Sequence, residues 1–139
     1  MPEPVAKAIK LTPEDWKIFK ELMVEAGWLD SDTSEETVRG MIAGAEVFGA
    51  EIPGCGTVAV GRGISDGCSD AYIQDVFVLP AFRGKGIGKV IVRSVTAALR
   101  NKGCDWIGLI ATPGNENFYR SMGFEPMAGH TPMFFTEKR

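Results

Sequence analysis

Residues 76–111, "VFVLPAFRGKGIGKVIVRSVTAALRNKGCDWIGLIA", limit the possible folds more than any other stretch. An apolar run, a loop with three glycines, an amphipathic run and a second apolar run read as strand, loop, helix and strand. Ile87, Val90, Ile91, Val95, Ala98 and Leu99 mark one helical face, Arg100 and Lys102 occupy the last turn, and Gly103 stops the helix. Two strands joined through a helix must pair in parallel, and the crossover is right-handed.

The flanking segments predict a different texture. In "LTPEDWKIFKELMVEAG", Thr12 is placed as N-cap, Pro13 at the first helical position and Asp15 in the first turn. Trp16, Phe19, Leu22, Met23 and Ala26 follow at helical spacing up to Gly27. A second, shorter helix is predicted from "TSEETVRGMIAGA", with Thr33 and Glu36 as a capping box and Val38, Met41, Ile42 and Ala45 as its apolar stripe. "AEVFGAEI", "GTVAVGRGI" and "AYIQDVFVL", separated by "PGCG" and "SDGCSD", predict an antiparallel meander. "DWIGLIA" is expected as a buried strand, "NENFYRSMG" as a short helix and "TPMFFTE" as a final strand. The fold class is therefore α+β (mixed α/β).

With 139 residues, 45% of them apolar, one domain spanning 1–139 is expected. A net charge of -3 and scattered basic residues argue against a nucleic-acid partner. Cys55, Cys68 and Cys104 form no C-x-x-C pair, which suits small partly buried thiols rather than a disulfide framework or a zinc ribbon. No apolar run approaches the roughly 20 residues of a membrane helix. "MPEPVAKAIK" lacks the apolar centre of a signal peptide, so a cytoplasmic protein away from membranes is expected. Asp66 and Asp70 in "SDGCSD" are explained as turn formers, and no metal is expected.

A loop that follows a strand and opens a helix gathers unpaired amides at the positive end of the helix dipole, a setting that attracts phosphate. Arg83, Lys85 and Lys89 add charge there. The Walker pattern fails, because Val90 stands where a hydroxyl is required and Arg83 where a glycine is required. The dinucleotide fingerprint fails, because Lys89 stands at the third glycine.

Arg83-x-x-Gly86-x-Gly88 instead resembles the [QR]-x-x-G-x-[GA] signature of the GCN5-related N-acetyltransferase (GNAT) superfamily. "YIQDVFVLPAFRGKGIGKVIV" is similar to that family's fourth strand and third helix, and "NFYRSMGF" to its C-terminal helix and the turn after it. The resemblance implies a mostly antiparallel twisted sheet flanked by helices, with a bulge in the fourth strand and a splay between strands 4 and 5. It implies acetyl-CoA as acetyl donor, with the pyrophosphate on Arg83, Gly84, Lys85, Gly86, Ile87, Gly88 and Lys89. Main-chain contacts of Val76, Phe77 and Val78 would hold the pantetheine arm, with Asn115 and Phe118 as further contacts. These strand residues also read as ordinary buried strand, and both readings can hold together.

Acetyl transfer from a thioester to an amine needs a held donor, a neutral amine, stabilisation of developing negative charge and a proton for the departing thiolate. The resemblance implies Tyr119 as proton donor, against a reading as a packed aromatic. It implies Asp75 as general base, against a structural role satisfying loop amides. Strand alternation sends Gln74 and Asp75 to opposite faces unless a bulge intervenes. Asn115 reads equally as the N-cap of the last helix, and the lone His130 reads as a bystander. The implied activity is transfer to a primary amine of a small molecule by direct attack in a ternary complex, with Trp28 and Leu29 on the acceptor side. Two alternatives remain open: a module that binds acetyl-CoA without catalysis, and acetylation of a protein or peptide. A homodimer is a further family expectation.

Overall fold

A computed structural model of the chain describes residues 5–137. It divides into two compact units, Met1–Leu109 and Ile110–Arg139. The first holds a five-stranded sheet in the order β1-β2-β3-β4-β5: Lys7–Lys10, Ala45–Ile52, Gly56–Ser65, Asp70–Val78 and Trp106–Leu109. Neighbours pair antiparallel from β1 to β4, while β4 and β5 run parallel, as the crossover requires.

Helices α1 (Trp16–Glu25) and α2 (Glu35–Ala43) cover one face, and α3 (Ile87–Asn101) covers the other. α1 follows a 3₁₀ turn at Pro13–Asp15 that starts as the sequence predicts: the Glu14 amide donates to Thr12 Oγ1 at 3.3 Å and the Thr12 amide to Asp15 Oδ2 at 2.8 Å. Phe19, Leu22 and Met23 of α1 and Val38 and Ile42 of α2 pack with Leu11, Val47 and Val60 in one apolar cluster. On the opposite face α3 buries Ile87, Ile91, Val92, Val95 and Leu99. It lies so close to β3 that a Cβ on Gly61 would stand 2.3 Å from Ile91 Cγ2.

Three expectations change in this unit. The cap of α2 is Ser34, whose Oγ accepts from the Thr37 amide at 3.1 Å. Thr33 accepts from the Asp30 amide and closes the preceding loop instead. β5 is shorter than predicted and only half covered, because it lies at the sheet edge; Trp106 keeps 45% of its surface exposed. Of the three thiols only Cys104 is buried, and Cys55 and Cys68 are exposed.

The second unit contains α4 (Glu116–Arg120), and residues 131–137 within it form no strand. Phe134 and Phe135 have high strand propensity, but propensity expresses fit to neighbouring strands, and these side chains lie open to solvent beside the equally exposed Met133. Among the described residues no helix is long and apolar enough to cross a membrane.

Candidate active site

β4 carries the first feature. Its parallel pairing with β5 runs from Asp70↔Trp106 to Ile73↔Leu109, so Gln74 to Val78 continue past the last paired residue of β5. On the β5 side these residues have no strand partner among the described residues. On the β3 side, Arg62 pairs with Gln74 and Val60 with Phe77, leaving Asp75 and Val76 together opposite Gly61. Two residues facing one make a β-bulge, and Asp75 has the left-handed φ of 59° that the extra residue demands.

The bulge redirects side chains. Ile73 stands opposite Gly63, on the face where α3 packs. Unbroken alternation would send Asp75 and Phe77 to that same face. Instead Val76 lies beside the Gly61 position on the α3 face, and Phe77 joins the α1–α2 cluster. Asp75 Oδ2 meets Arg62 Nε at 2.8 Å, the two side chains being 15% and 14% exposed.

After β4 the chain turns through Pro80–Phe82 into the glycine loop. Arg83 fastens that loop to the strand end: its Nε donates to the Val78 carbonyl at 2.9 Å, and its guanidinium lies 5.5 Å from the centre of the Phe77 ring. The Val78 carbonyl keeps a second lone pair. Trp28 meets the same Phe77 ring edge-on at 6.0 Å, so Trp28, Phe77 and Arg83 form a row at the end of β4.

Gly86 caps α3 in the left-handed region, at φ 82°, and a Cβ there would meet nothing within 4 Å. The first bond of α3 joins the Val90 amide to the Gly86 carbonyl at 3.3 Å, so the Ile87, Gly88 and Lys89 amides precede the intrahelical ladder. Gly84, Lys85 and Gly86 are exposed, whereas the Ile87 side chain is buried and can serve a ligand through its backbone alone. Open amides, an accessible glycine corner and nearby cations fit a phosphate-bearing ligand.

A second group of expected site residues comes together within the other unit. The Tyr119 amide donates to the Asn115 carbonyl at 3.3 Å, and the Tyr119 ring meets Phe118 at 4.9 Å and Phe124 at 6.0 Å, both edge-on. Burial pushes the Tyr119 phenol above its ordinary value, so it is protonated across the neutral range. Asn115 occupies the N-cap position of α4, but its side chain donates to Thr112 Oγ1 at 2.6 Å and does not cap the helix. His130 is exposed, with Nδ1 at 3.0 Å from the Ala128 carbonyl.

Arg62 is the residue that the sequence reading missed. The available signal was a lone cation inside the strand "GTVAVGRGI", since a charge on a half-buried strand needs a partner.

Residues 41–126 match the acetyltransferase (GNAT) domain. The chain belongs to the GNAT family. It is 40% identical over 67 residues to serotonin N-acetyltransferase 2, chloroplastic, of Oryza sativa subsp. japonica, covering 48% of this chain and 34% of that protein. It is 33% identical over 61 residues to thialysine N-epsilon-acetyltransferase of Mus musculus, covering 42% and 36%. The chain thus spans about a third of the length of these curated relatives. Among solved structures, a putative acetyltransferase of the GNAT family from Xanthomonas campestris pv. campestris superposes with a TM-score of 0.72 at 28% identity, over 96% of each chain.

Proposed function

We propose that residues 1–139 act as one acetyl-CoA-dependent N-acetyltransferase domain whose acceptor is the primary amine of a small molecule. The observation that carries this reading is the pair formed by the bulged end of β4 and the glycine corner of α3: a strand end unpaired on its β5 side, followed by an amide cradle. Acetyl-CoA supplies an acyl group already activated as a thioester. The amides of Gly84 to Lys89 would hold its pyrophosphate, with Arg83, Lys85 and Lys89 balancing charge, and the backbone of Val76 to Val78 would align its arm. Asn115 and Phe118 enter as further donor contacts.

The amine nitrogen attacks the acetyl carbon, forming the C–N bond as the C–S bond breaks. Asp75 accepts the proton lost by the amine, directly or through water, and the Tyr119 phenol donates one to the departing thiolate. Trp28, exposed beside Phe77, lines the acceptor side with Leu29. The names of the rice and mouse relatives, each an N-acetyltransferase for a small amine, support a small acceptor.

Thiol release from acetyl-CoA across a panel of arylalkylamines, diamines, amino sugars, amino acids and peptides tests the reading, with wild type beside Tyr119→Phe. Turnover on small amines, reduced at least about tenfold by Tyr119→Phe with little change in acetyl-CoA affinity, is the expected outcome. Turnover on peptides alone would move the acceptor to proteins. Acetyl-CoA binding with no turnover anywhere on the panel would make the protein a binding module.

A further inference from the structure

We propose that Arg62 is a positioning residue for the acetyl donor, holding the left-handed corner of β4 that presents Val76 to Val78. The proposal rests on the functional reading above, because it concerns the strand segment assigned to the donor's arm. Asp75 is the only described residue other than glycine with a positive φ. L-residues avoid that region because Cβ crowds the backbone, and aspartate tolerates it better than most but not freely.

Something must therefore hold the corner, and Arg62 is placed to do so. It is the first residue of β3 paired after the bulge, opposite Gln74, so its side chain leaves the sheet at the edge of the irregularity. Its Nε lies 2.8 Å from Asp75 Oδ2, and its Nη1 makes a longer contact of 3.5 Å to the Met41 carbonyl in α2. Both charges are largely withdrawn from water, so each depends on the other. The guanidinium thus ties the bulge to β3 and to α2 together. If Asp75 relaxed to an extended conformation, the register beyond it would slip by one residue. Val76 and Phe77 would then exchange faces, and the backbone offered to the donor would turn with them.

Glycine separates this role from general support of the fold, because it adopts φ near 60° with no partner. The experiment measures acetyl-CoA affinity by titration calorimetry, together with thermal unfolding, for wild type, Arg62→Met and Arg62→Met/Asp75→Gly. Arg62→Met is expected to weaken acetyl-CoA binding by about tenfold or more, and the added glycine to restore it to within about threefold of wild type. Turnover of the double variant stays low, since Asp75 is also the proposed proton acceptor, so affinity is the deciding readout.

Wild-type affinity in a folded Arg62→Met overturns the proposal, as does a folded double variant that still binds weakly. An unfolded double variant overturns it too, because Arg62 would then support the core rather than the corner. If Arg62→Met alone fails to fold, a folded, tightly binding double variant supports the proposal. Failure of the functional reading appears separately, as wild type that binds no acetyl-CoA, and it removes this proposal's ligand with it.

Discussion

Gly86 and Asp75 both hold left-handed backbone, at φ 82° and 59°, and they do so by opposite means. Gly86 has no side chain and no neighbour within 4 Å of where one would start, so its corner is stable without support and open to a ligand. Asp75 keeps a side chain and depends on an ion pair 2.8 Å long to a neighbouring strand. The loop corner leaves amides uncovered, whereas the strand corner must alter which way Phe77 points. An open corner calls for the absence of atoms, and a redirected strand calls for a handle by which the sheet can hold it.

The contrast breaks most visibly at Gly61, which faces the bulge from β3. Its role is space: a methyl there would stand 2.3 Å from Ile91 Cγ2 of α3. Gly61→Ala is therefore expected to cost about 1–3 kcal/mol of stability through overpacking, measured by urea unfolding. An unchanged midpoint would mean that α3 has room to retreat, and that the bulge does not owe its position to a bare stretch of β3.

Gly86→Val sharpens the other side. Left-handed backbone costs an L-residue about 1–2 kcal/mol, and a β-branched one more. No packing clash adds to this, because the space around the corner is empty. The expected outcome is a folded protein whose acetyl-CoA affinity falls by about tenfold or more, measured by calorimetry. A folded variant with unaltered affinity would remove the loop from the donor site.

The same contrast explains what could be read from the sequence. Glycine announces itself, and "RGKGIG" placed after a strand and before an amphipathic run was enough to predict the loop and α3. Helix α1 was equally legible, since Thr12, Pro13 and Asp15 form a local capping unit that needs nothing from the rest of the chain. The bulge was expected only through the family resemblance and could not be placed from the residues, because Asp75 has no local signature for positive φ; its conformation depends on Arg62, thirteen residues earlier and on another strand. "TPMFFTE" failed for the same reason reversed: its composition suits a strand, but a strand is completed by its neighbours. Candidate residues in the loop and on α4 could be named from short motifs. Arg62 required the register of β3 against β4.

A smaller effect is expected at Asp66, an aspartate that acts locally where Asp75 acts across strands. Its carboxylate accepts from the amides of Cys68 at 2.9 Å, Ser69 at 2.8 Å and Asp70 at 3.1 Å, and from the Ser69 hydroxyl. The Ser69 hydroxyl chiefly, then the Cys68 and Ser69 amides, holds this carboxyl well below its usual value of 3.8. A carboxyl depressed on folding stabilises the native state above its unfolded value, and that contribution is lost as pH falls through the folded value. Thermal unfolding of wild type should therefore decline with pH below about 4. Asp66→Asn, which keeps one acceptor oxygen but no titrating charge, should be slightly less stable at neutral pH and follow a flatter acid slope. Because the turn is exposed, both differences should shrink as salt is added. Parallel slopes for the two proteins would show that protonating Asp66 costs the fold nothing, so that the turn holds the neutral carboxyl as well as the carboxylate. The turn would then be fixed by its geometry alone, leaving Asp75 as the aspartate whose charge the fold uses.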